Sequence, residues 1–62
     1  MATLLVSDRE REYTVGLLHG HLMSGRLTTE EFEQRVGEAW RARYSQDLWR
    51  ALRFLPVEDA PV

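Results

Sequence analysis

No cysteine occurs in the 62-residue chain, so neither a disulfide nor a thiolate metal site can hold it together, and thiols say nothing of its redox compartment. Lysine is missing too: all eight basic residues are arginine, which fits a GC-rich genome as readily as a need for bidentate pairing. Long apolar runs are also absent. Leu4-Leu5-Val6 is a run of three without a basic segment before it, too short for a signal peptide or a membrane span, so a cytoplasmic chain is expected. There is no repeat and no low-complexity tract. What remains is a single domain at most, and a core of this size supplies only about 3–5 kcal/mol of net stability. Good helix caps or a partner must do the rest.

The formal net charge of −2 is unevenly spread. Residues 8–33 hold six acids (Asp8, Glu10, Glu12, Glu30, Glu31, Glu33) against Arg9, Arg11 and Arg26, a net −3. Residues 34–53 hold five arginines (Arg35, Arg41, Arg43, Arg50, Arg53) against Glu38 and Asp47, a net +3. Glu58 and Asp59 follow near the end.

The organising stretch is Ser24-Gly25-Arg26-Leu27-Thr28-Thr29-Glu30-Glu31-Phe32, which carries a helix stop and a helix start. Gly25 suits the left-handed residue that closes a helix, because it has no Cβ to clash at positive φ. Thr28 and Glu31 have the spacing of a capping box, with Leu27 and Phe32 placed as its hydrophobic staple. Ser7 and Glu10 form a second such box, with Asp8 favourably set against the helix dipole.

These signals predict an all-α, compact three-helix domain. Its helices run over about 8–24, 29–43 and 46–55, with a tight corner at 25–28. On the first helix Arg11, Val15, Leu18 and Leu22 fall on one face, expected to be the core side. On the second, Phe32, Val36 and Ala39 are expected in the core, Trp40 in the core or at its rim, and Arg43 with its stem along the apolar face. Ser45 reads as the cap of the third helix, Leu48, Ala51, Leu52 and Leu55 as its stripe, and Pro56 as its end. Helix three is expected to close the open side of the helix pair, and residues 57–62 read as a frayed tail.

Chemistry finds little to work with. Set against a calcium loop, Gly25 and Glu31 take the sixth and twelfth positions, but Gly20, Leu22 and Ser24 supply no carboxylate at the first, third and fifth. His19 and His21 point about 200° apart on a helix and cannot share a metal, so they are read as surface or rim residues. The few serines and threonines are committed to caps, and the carboxylates lie mostly in first helical turns, where the dipole explains them. No enzyme, metal, cofactor or small-molecule substrate is expected.

Two surfaces stand out. The first is apolar residues beyond the core stripes: Leu4, Leu5, Tyr13, Leu17, Trp49 and Phe54, to which Gly16 and Gly20 add one flat strip of helix one. That strip is either a solvated face or a groove for a close-lying helix, whether helix three or a partner's. A domain so small also leaves apolar surface uncovered of necessity. The second surface is basic: Arg41, Arg43, Arg50 and Arg53 suit a small nucleic-acid-binding regulator, against which stand the acidic net charge and the lack of a glycine-rich phosphate loop.

The stretches Val6-Ser7-Asp8-Arg9-Glu10-Arg11-Glu12 and Gly25-Arg26-Leu27-Thr28-Thr29-Glu30-Glu31-Phe32-Glu33-Gln34-Arg35-Val36, with spaced leucines ending in Leu55-Pro56, resemble the actinobacterial SHOCT-like domain of unknown function. The likeness covers residues 6 to 56. It implies a short helical module, commonly N-terminal in longer bacterial proteins and often ahead of membrane segments or other domains. It implies oligomerisation or binding of other macromolecules, and no catalytic residue or ligand. Trp40, Trp49 and Phe54 are more aromatic than the usual small or polar choices. With no membrane span in the chain itself, the expectation is an intracellular partner in trans. The reading is therefore a non-catalytic regulatory or scaffolding module that docks on another protein or on itself through Tyr13, Gly16, Leu17, Gly20, Trp49 and Phe54.

Overall fold

A computed structural model describes residues 5–55. Among these the chain forms three helices, α1 (Asp8–Met23), α2 (Thr29–Arg41) and α3 (Ser45–Arg50). The expected frayed tail, Leu4 and the Pro56 stop lie outside the described residues.

Both capping boxes are in place. The Ser7 Oγ accepts from the Glu10 N–H at 3.1 Å while the Glu10 carboxylate takes the Ser7 N–H at 2.8 Å. Thr28 and Glu31 repeat this at 3.1 and 2.9 Å. At the corner Gly25 has φ +83°. Its N–H donates to the Leu22 carbonyl at 3.0 Å, and the Arg26 N–H to the His21 carbonyl at 2.9 Å. Those two bonds are a Schellman closure, which satisfies carbonyls that the helix end leaves open.

Three further boundaries differ from expectation, and at two of them, the ends of α2 and α3, an arginine guanidinium is at the break. α2 stops at Arg41 rather than 43 because Ala42 turns extended, at φ −66° and ψ 137°. Its carbonyl takes two bonds from Arg11, at 2.8 Å from Nη2 and 3.2 Å from Nε. The next carbonyl, of Arg43, accepts from the Val6 N–H at 3.0 Å, beside a single antiparallel bridge between Leu5 and Tyr44. The residues before α1 thus hold the α2–α3 connection.

α3 begins one residue early, with Tyr44 as cap in place of Ser45, because the Asp47 carboxylate reaches back to the Tyr44 N–H at 3.2 Å. It ends at Arg50, well short of 55. From Ala51 to Leu55 the backbone bonds run three residues back instead of four. Ala51 and Arg53 give their carbonyls to Arg35 Nη1, at 3.1 and 2.6 Å, and Arg53 Nη1 donates to the Arg50 carbonyl at 2.7 Å. Acceptors that a continuing α-helix would need are already engaged. Phe54 then takes a left-handed φ of +67°.

The core joins Val6, Ala39, Ala42, Leu48 and Ala51, with Val15 packed against it. Three of these are alanines, which lets α3 and its following turn sit close on α2. On α1 the buried line is Thr14, Leu18 and His21 rather than the expected Arg11, Val15, Leu18 and Leu22. At 100° per residue the core face is rotated by roughly 60°. The rotation is possible because each buried polar group on that line is satisfied. Thr14 Oγ1 donates to the Glu10 carbonyl at 3.0 Å, and the Arg26 guanidinium lies 3.3 Å from His21 Nδ1. His21, expected at the surface, is 2% exposed. Phe32 and Val36 are half-buried and Trp40 is exposed, each further out than expected.

α1 packs on α2 and α2 on α3. α3 does not close the open side of the α1–α2 pair, and a cleft remains between α1 and α3.

Candidate protein-docking site

That cleft measures about 370 Å³. Its α1 wall carries Tyr13 and Leu17, one turn apart and therefore on one face, with Thr14 beside them. The opposite wall carries Leu48, Trp49 and Leu52. Arg9 and Glu10 stand at one end and Ser45 completes the lining. Leu48 and Thr14 form a buried floor, whereas Tyr13 is 69% and Trp49 75% exposed. Two aromatic rings thus flank an apolar depression and remain in water, which costs hydrophobic free energy until something covers them.

Of the residues read from the sequence as a docking surface, the cleft gathers Tyr13, Leu17 and Trp49. Gly16, Gly20 and Phe54 do not line it. A Cβ placed on Gly16 or Gly20 meets nothing within 4 Å, so helix three is not the close neighbour considered for that strip. Phe54 is 93% exposed beyond the end of α3. The cleft also draws in Leu52, assigned to the core from its stripe, together with Arg9 and Glu10. Arg9 sits four residues before Tyr13, and that spacing was the available signal.

Five of the eight arginines fall into two groups. Arg11 and Arg35 bracket backbone carbonyls, as described. Arg41, Arg50 and Arg53 line a second depression of about 390 Å³ with Glu38, Ala42 and Asp47, while Arg43 lies outside it. Arg53 grips Glu38 with two prongs, Nη1 to Oε1 at 2.9 Å and Nη2 to Oε2 at 3.3 Å. Hydrogen bonding to Arg53 is the main reason that the Glu38 carboxyl titrates below its ordinary value of 4.5, with the charges of Arg53, Arg35 and Arg41 helping against partial desolvation. The same pairing raises the Arg53 guanidinium. Arg50 is drawn more loosely to Asp47, at 3.7 Å.

Among the described residues no three His, Asp or Glu side chains gather as metal ligands, and no helix is long and apolar enough to cross a membrane.

Residues 4–56 match the family model of the DUF1707 SHOCT-like domain, most of the chain's length. The chain belongs to this family. No curated protein and no solved structure matches it. For this SHOCT-like domain, then, the functional reading rests on the geometry of its own surfaces.

Proposed function

We propose that this SHOCT-like domain is a non-catalytic docking module of the cytoplasm, regulatory or scaffolding in role. It receives an apolar helical face of another protein in the cleft between α1 and α3. The observation that carries the reading is the exposure of Tyr13 and Trp49 on either side of an apolar depression whose floor is already dry. Aromatic anchors around a groove are the usual means by which a protein grips an amphipathic helix, through residues at i, i+4 and i+7. Leu17, one turn on from Tyr13 along α1, adds apolar lining to the same cleft.

The arginine side favours nucleic acid less. Two of its three clefted guanidiniums face carboxylates of their own chain, and residues 8–33 carry a net charge of −3. A phosphate-tracking surface needs guanidiniums left free along a line.

Panning a library of amphipathic helical peptides against the folded domain tests the proposal. Enriched peptides should repeat apolar residues with helical spacing. They should lose most binding to Leu17→Glu, and at least about tenfold to Trp49→Ala, the weight of one interface anchor. Peptides that bind the wild type and a folded Leu17→Glu equally would place the docking surface elsewhere.

A further inference from the structure

The second depression is independent of the first. At 100° per residue, Asp47 and Arg50 leave α3 on the side away from Leu48 and Trp49. Its three guanidiniums are held to different degrees. Arg53 is fixed by both Glu38 oxygens and by the Arg50 carbonyl. Arg50 approaches one Asp47 oxygen only to 3.7 Å, while the other oxygen accepts the Tyr44 N–H at 3.2 Å. The Arg41 guanidinium takes no side-chain hydrogen bond and no ion pair within 4 Å among the described residues, and acts on Glu38 only through its charge.

Arg41 is also given room. A Cβ on Gly37 would come within 3.3 Å of its Nη1 and 3.6 Å of its Nη2, so the guanidinium lies along α2 over the one position in that turn without a side chain. Three guanidiniums against two carboxylates leave the cleft one positive charge in surplus, and Arg41 is where it sits.

We propose that this cleft binds a carboxylate side chain of an acidic peptide segment on a partner protein, received by Arg41 with Arg50 beside it. Guanidinium and carboxylate match in shape and form charge-assisted pairs. A carboxylate is favoured over a nucleic-acid backbone because the surplus is a single charge. Glu38 and Asp47 lie in the same cleft and would repel a chain of regularly repeated phosphates.

The test is a titration of the ¹⁵N-labelled chain with an acetylated and amidated peptide carrying a single Glu among neutral residues, its Gln counterpart, inorganic phosphate and oligothymidylate, following the arginine Nε–Hε signals. The acidic peptide should move Arg41 and Arg50, and the neutral one should not. Arg41→Gln should weaken binding about tenfold, the weight of one charge-assisted pair. Arg43→Gln, which removes the same charge outside the cleft, should leave binding unchanged. Gly37→Ala should weaken binding by displacing the guanidinium while the melting temperature holds or rises, because alanine favours the helix. Equal losses in Arg41→Gln and Arg43→Gln would overturn the site, as would no movement of Arg41 at millimolar peptide. Tighter binding of phosphate or oligothymidylate would overturn the choice of ligand.

Discussion

Gly25 and Phe54 share a left-handed backbone, and only one of them suits it. At Gly25 the positive φ lets the Schellman bonds form without a Cβ clash, so Gly25→Val should cost more than about 1 kcal/mol in a thermal or urea melt. Thr28→Ala should cost about 1 kcal/mol through loss of a cap bond. At Phe54 the same backbone carries a ring that is almost wholly in water, so the side chain contributes no packing to offset the strain. Phe54→Gly should therefore be more stable than Phe54→Ala by about 1 kcal/mol, the left-handed penalty that alanine keeps and glycine does not. Equal stabilities would mean that residue 54 relaxes out of this conformation at no cost. The corner was legible in the sequence because every signal in it is local: Gly25, Thr28, Glu31 and their spacing. Phe54 was not, since its backbone is set by Arg35 reaching across from α2.

The same division holds for whole helices. Both ends of α1 and the start of α2 are written in neighbouring residues and fall where the pattern puts them, within a residue. The ends of α2 and α3 are decided by guanidiniums from distant sequence, Arg11 on the Ala42 carbonyl and Arg35 on those of Ala51 and Arg53. Hydrophobic spacing carries no record of such a bond. Hence α3 was read as running over 46–55 where it spans only Ser45–Arg50, and the open cleft between α1 and α3 was read as closed. Arg11→Met should destabilise the domain by roughly 1–3 kcal/mol, because the part-buried Ala42 carbonyl loses two donors. The ion pair of Glu38 with Arg53 ties α2 to the turn after α3. Because Glu38 titrates below 4.5 in the folded chain, its stabilising effect is complete above that value and is lost as pH falls through the lowered one. Glu38→Gln should thus lower stability at neutral pH and flatten its fall below about pH 4.5 in melts compared with the wild type.

At the scale of the molecule, the short axis of 19 Å is about two helix diameters, so every helix keeps an outward face. A fold this thin must expose some apolar surface. What distinguishes the α1–α3 side is the gathering of that surface, with Tyr13, Leu17 and Trp49 brought to one cleft while Trp40 stands away from it. Sedimentation equilibrium over a wide concentration range tells whether a second copy fills this cleft. A dimer abolished by Leu17→Glu means that the chain is its own partner, and a monomer at all concentrations means that the helix comes from another protein. The central claim is the location of docking, and the two tryptophans allow it to be read in one spectrum. A ¹H–¹⁵N spectrum of the domain with a panned helical peptide should move the Trp49 indole N–H and the Tyr13 and Leu17 amides, and leave the Trp40 indole in place. Movement of the Trp40 indole with Trp49 unchanged would contradict the account.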